Sequence, residues 1–130
     1  MSVQQIAAAA QAFGDAFTRL DMAAAAEMLD DDLEVFDHVP YRFDNKKQFV
    51  TFLQGAMAGI ASCDFSFRQL SCRMFNENTG VVNAYDAFTG VTKDGKPIKP
   101  LHGRTTLVFV KRGSQWKIVS CHFSPLPQHG

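Results

Sequence analysis

The spacing of apolar residues changes once along the chain, and that change limits the fold more than any other feature. Before residue 63 the apolar positions recur every three or four residues. Val3, Ile6, Ala10, Phe13, Phe17 and Leu20 make one helical stripe. Phe49, Phe52, Leu53, Ala56, Met57 and Ile60 make another, behind a capping Asn45. A shorter Ala- and Met-rich helix, capped by Asp21 and reaching Leu29, is expected between them. Asp30, Asp31 and Asp32 follow it and read as a solvated turn, because acids oppose the dipole at a helix C-terminus. Residues 33–39 alternate as a short strand that Pro40 stops, with Leu33, Val35, Asp37 and Val39 on one face.

From Cys63 the period becomes two. Phe65 and Phe67 lead, then the apolar set shifts to Leu70, Cys72 and Met74. The flip in parity places a bulge near Gln69. Residues 80–92, 98–111 and 116–124 continue as long strands. Asp94-Gly95 supplies the positive φ of a tight hairpin, and Gly113-Ser114 makes a second. Helices that precede such a meander must cover one face of it. The expectation is one α+β domain over 1–130. It is a cone-shaped half-barrel in which three N-terminal helices pack on a curved, mostly antiparallel sheet of five strands, in the order α-α-β-α-β-β-β-β.

Composition narrows the function classes. At 130 residues with 46% hydrophobic content the chain suits one globular domain. A formal net charge of zero argues against nucleic acid and anionic membrane as partners. No apolar run is long enough for a bilayer and the first residues lack a leader pattern, so a cytoplasmic protein is expected. The three cysteines, Cys63, Cys72 and Cys121, sit in strand-like runs and read as reduced buried thiols. No spacing suits a metal, and neither a metal nor a cofactor is expected.

The two turns fix which residues share a face. Two-residue loops at both would set Ala84 opposite Thr105, Val82 opposite Leu107 and Phe88 opposite Leu101. They would also set Thr105 opposite His122, Leu107 opposite Ser120 and Phe109 opposite Ile118. One face then holds Asp86 and His122 among apolar residues, and it is assigned to the concave side. Asp in mid-strand is disfavoured, so Asp86 needs solvent or a donor. His122 would be that donor, and an Asp–His pair can work as a general base near the unperturbed imidazole pKa of about 6.5. A structural hydrogen bond is the competing reading. Asp37, at a strand end, would join them in one cavity, with Phe13, Phe17, Phe36, Tyr41, Phe88, Thr105, Leu107, Phe109, Trp116 and Ser120 contacting the ligand. The opposite face carries Val108, Val119, Cys121 and Phe123, an apolar stripe without a cover that suggests a homodimer interface.

This order of elements, with Trp116-Lys-Ile-Val followed by His122-Phe-Ser124 and with Gly103-Arg104-Thr105-Thr106 upstream, resembles the nuclear transport factor 2-like superfamily. More narrowly it resembles the SnoaL-like and calcium/calmodulin-dependent kinase association-domain-like branch. The resemblance covers nearly the whole chain and implies a cone with an internal pocket, usually dimeric. The superfamily spans isomerases, cyclases, dehydratases, epoxide hydrolases and non-catalytic modules, so fold alone does not fix chemistry. Glu34-Val35-Phe36-Asp37 resembles the segment where ketosteroid isomerases place their base, which implies that role for Asp37. Their acidic oxyanion donors would fall at Phe13 and at Thr105 or Thr106, none of which is a strong acid. Ser120 stands where association domains carry the first of two histidines. Two functions stay open. One is a binding domain for a small apolar or amphipathic molecule, with cofactor-free acid–base chemistry. The other is a non-catalytic association or accessory module.

Overall fold

The computed structural model describes residues 2–127. Helices α1 (Ser2–Thr18) and α2 (Met22–Glu27) lead into strand β1 (Leu29–Phe36) and the two-residue strand β2 (Arg42–Phe43). Helix α3 (Lys46–Met57) follows, and then four strands: β3 (Ile60–Asn76), β4 (Thr79–Thr92), β5 (Pro97–Arg112) and β6 (Gln115–Pro125). The sheet order is β2-β1-β6-β5-β4-β3. Every neighbouring pair is antiparallel except β1 with β6, which run parallel. The sheet thus has six strands rather than five, the sixth being the short β2 at its edge.

Local chemistry explains the starts. Asp21 and Asn45 cap α2 and α3, each side chain accepting a backbone N–H three residues on, from Ala24 and Gln48. The acidic run does not solvate a turn. Asp30–Asp32 already belong to β1, and Asp30 accepts from both Arg112 Nε and Nη2 at the far end of β5. Helix α1 lies along β3, where the Thr18 hydroxyl bonds the backbone of Phe65 and the Cys63 thiol donates to the Phe17 carbonyl.

Irregularities in β3, in the β4–β5 hairpin and in β6 decide which residues face the cavity. In β3 the shift lies between Arg68 and Ser71, with Gln69 at φ 55°. This is the bulge that the parity change predicts. The Asp94-Gly95 hairpin closes as a three-residue loop, since Thr92 N–H bonds the Lys96 carbonyl and Gly95 has φ 85°. An extra residue at Lys99-Pro100, opposite Thr89, cancels the offset. Beyond it Phe88 faces Leu101, Ala84 faces Thr105 and Val82 faces Leu107, the expected pairs. The last of these falls in β6. Arg112 faces Gln115 across Gly113 and Ser114, and Phe109 faces Ile118, but Val108 then faces Ser120. Val119 is the additional residue, and every position after it changes face. Thr105 therefore lies opposite Phe123, and His122 lies opposite Thr106.

The concave side is filled at one end. Ile6, Phe13, Leu107, Phe109 and Ile118 are fully buried there, together with Leu29, Leu33 and Val35 from β1. Trp116 lies at this end too, half-buried, with its indole N–H donating to Gln5 of α1.

Candidate functional site

At the other end the helices stand away from the sheet and leave a cavity of about 350 Å³. Its walls are Phe17 of α1, the α3 side chains Phe49, Phe52, Leu53, Ala56 and Met57, and Ile60, Phe65, Phe88, Ile98, Leu101 and Phe123 from the strands. Three polar residues reach it: Asp37, His38 and Asp86. The α3 stripe that turns its apolar face to the sheet is the same stripe that forms this wall.

Asp86 comes from the middle of β4 and is 8% exposed. The Thr105 hydroxyl, itself 3% exposed, donates to Asp86 Oδ2 at 2.5 Å. The position opposite Asp86 in β5 is Gly103. A methyl group there would lie 2.8 Å from Asp86 Oδ1 and 2.8 Å from the Ser124 carbonyl oxygen, so the absent side chain makes room for the carboxylate. Burial pushes the Asp86 carboxyl above its ordinary value, while the Thr105 bond and the nearby His38 and His102 pull it back. Asp37 and His38 follow β1 in the short connection to β2, where Asp37 Oδ1 accepts the His38 backbone N–H at 2.7 Å. Burial raises the Asp37 carboxyl as well, and the charge of Asp86 adds to the rise.

The other expected site residues distribute differently. Phe17 and Phe88 line the cavity and Thr105 supports its floor through Asp86. Phe13, Leu107 and Phe109 are in the filled core, and Trp116 is at the closed end, because sharing a face does not mean sharing a position along the strand. His122 is the main correction. The Val119 bulge turns it to the convex side, where it is exposed and its ring lies 5.5 Å from that of Phe36. It makes no pair with Asp86. Ser120 moves to the outer face with it, opposite Val108. Phe36 is 49% exposed, and Tyr41 is exposed against the edge of Phe43.

The same bulge dissolves the expected interface stripe. Cys121 turns inward and is 1% exposed, its thiol pushed far above the ordinary range by burial and, secondarily, by the charge of Asp37. Phe123 turns into the cavity. Of the four stripe residues, only Val108 faces outward, and Val119 is the bulge itself.

His38 and the α3 wall were absent from the expected site. A histidine next to Asp37 at a strand end was a usable signal, and the helical stripe was already visible as apolar. What the sequence lacked was the gap between helix and sheet that turns a core stripe into a cavity wall.

A family model for the SnoaL-like domain matches residues 6–128. No curated protein matches the chain in sequence. Among solved structures, a protein from Novosphingobium aromaticivorans provisionally assigned as a scytalone dehydratase superposes with a TM-score of 0.88 at 13% identity, over 97% of this chain and 85% of that one. A provisionally assigned dehydratase of the NTF2-like family from Streptomyces avermitilis gives 0.85 at 17% identity, over 98% and 97%. The association domain of C. elegans CaMKII gives 0.75 at 13% identity, over 93% of each. At these identities the likeness concerns the fold, a cone of the NTF2-like kind. No helix among the described residues is long and apolar enough to cross a membrane.

Proposed function

The chain belongs to the SnoaL-like domain family, and on that premise we propose that its cavity binds a small apolar or amphipathic molecule on which Asp37 and Asp86 act by cofactor-free acid–base chemistry. The observation that carries this reading is the pair of carboxyls, both raised by burial, on the floor of a cavity whose other described lining residues are apolar except His38. Two carboxyls that sense each other ionise in separate steps, so one of the pair can serve as the acid while the other serves as the base. The Thr105 hydroxyl favours the ionised form of Asp86 and makes it the base. Asp37, raised further by its neighbour, is the acid. That arrangement can protonate a leaving hydroxyl and remove a proton, as isomerisation, cyclisation, dehydration or hydrolysis requires. The provisional dehydratase names of two similar structures support the dehydration class.

The test is a panel of small hydroxylated ketones followed for loss of water. Asp37→Asn and Asp86→Asn should each abolish turnover in a folded protein, and His122→Ala should leave it unchanged. Turnover that survives both aspartate substitutions, or that is lost with His122, overturns the assignment.

A second reading, an association module, has one observation in its favour. Phe36 and Tyr85 are 49% and 47% exposed on the outer face, and the association-domain fold is among the similar ones. Two such sheets packed back to back would bury about 1,200–2,000 Å² in total. Sedimentation of the wild type and of Tyr85→Asp decides it. A dimer that the substitution splits supports the module, and a wild-type monomer at micromolar concentration rules it out.

A further inference from the structure

The floor of the cavity is acidic, with His38 the one basic side chain among the described residues that line it. Neither Asp37 nor Asp86 takes part in an ion pair among the described residues, and no Lys or Arg lines the space there. The Asp86 carboxylate is half satisfied. Its Oδ2 accepts the Thr105 hydroxyl, whereas Oδ1 accepts from no donor among the described residues. Every fully buried side-chain oxygen described has a partner, so Oδ1 is not sealed in, and Asp86 is among the residues that line the cavity. The walls around it are aromatic, with Phe17, Phe65 and Phe88 close together; the Phe17 and Phe65 rings are 5.5 Å apart and those of Phe65 and Phe88 6.4 Å.

We infer that the ligand carries a basic nitrogen: an apolar molecule of modest size whose protonated amine sits against Asp86 Oδ1 and Asp37. This rests on the binding reading above and specifies its chemical class. The physical reasons converge. A carboxylate in an apolar cavity gains more from a cation than one in water does, because the local dielectric is low. An N–H donor to an ionised acceptor is among the stronger hydrogen bonds available. Phenylalanine faces attract an ammonium and repel an anion. A neutral ligand can donate a hydrogen bond to a carboxylate but brings no charge to balance it. The groups facing the floor from neighbouring elements are His38, the Cys121 thiol behind Asp37 and, outside, His102; only the two histidines can be positive, and neither forms an ion pair with Asp37 or Asp86. A bound cation favours the ionised carboxyls and opposes the rise that burial causes, so any proton lost on binding passes to the buffer.

The experiment is calorimetric titration of the full chain near neutral pH with 1-adamantylammonium and with its neutral counterpart 1-adamantanol, in two buffers of different ionisation enthalpy. The ammonium should bind at least about tenfold tighter than the alcohol, a difference of about 1.4 kcal/mol. Any proton exchanged with the ammonium should be released, seen as a buffer-dependent heat that the alcohol does not give. Asp86→Asn and Asp37→Asn should each remove most of the ammonium's preference over the alcohol. An alcohol that binds as tightly as the ammonium overturns the amine proposal and leaves the binding reading standing. Failure of both probes to bind overturns the binding reading too. The wild-type comparison needs no variant, so a substitution that fails to fold does not obscure the result.

Discussion

Asp86 is the residue on which the cavity turns, and it stands out in the sequence because aspartate is rare inside strands. Its partner does not. The sequence offers His122 by parity, and the structure supplies Thr105 instead, with Gly103 making room. Protonation of Asp86 should show in stability. The folded pKa lies above the unfolded one, so folding favours the protonated form. That contribution is complete below the unfolded value of about 3.9 and is lost as pH rises through the folded value. Asp86→Asn removes the penalty of the charged form. Melting curves of the two proteins should therefore converge near pH 4, by about the unfolded value, and diverge in favour of the variant as pH rises. A variant that is relatively less stable at the higher pH would show that the ionised carboxylate is stabilising, against the burial argument.

At the scale of elements, the two hairpins show where reading from sequence succeeds and where it stops. Both turns carry their glycine signal, and the β4–β5 register comes out as expected. It does so only because a three-residue loop and an extra residue near Pro100 offset each other. The Gln69 bulge announces itself by reversing the apolar parity. The Val119 bulge is silent, because Cys121 and Phe123 on one face and Ser120 and His122 on the other are acceptable either way. A one-residue slip exchanges the faces, and one unannounced residue was enough to exchange His122 for Phe123. The bulge has a direct chemical test. Native protein treated with a thiol reagent should leave Cys121 unmodified while half-buried Cys63 and Cys72 react slowly. Deleting Val119 should remove the bulge and leave Cys121 inward and unreactive, because Ser120 would then follow Ile118 opposite Val108 in regular alternation. Ready labelling of Cys121 in the wild type would contradict the register described.

For the whole molecule, the cone was legible from the order of its elements, but its division into two ends was not. Parity assigns faces, not depth along a strand, so Phe109 and Phe88 look alike in sequence. One is fully buried at the closed end and the other lines the cavity. Truncation should separate them. Phe109→Ala leaves a cavity in packed core and should destabilise the chain by about 3–5 kcal/mol. Leu101→Ala, at a residue 47% exposed on the cavity rim, should stay within about 1 kcal/mol. Urea unfolding of both variants measures the contrast. Equal losses would mean that the rim is as tightly packed as the core.

That division into a filled end and a hollow end has a consequence for how such a chain can change over generations. Substitutions at the rim, at Ile98 and Leu101, alter what the hollow accepts, while the packed residues around Phe13, Phe109 and Ile118 lie elsewhere; Phe49 and Leu53 of α3 belong to both the core and the cavity wall. Selection on ligand preference and selection on persistence of the fold therefore act on partly separate sets of positions. A scaffold partitioned in this way can exchange one small molecule for another without first having to become a more stable protein.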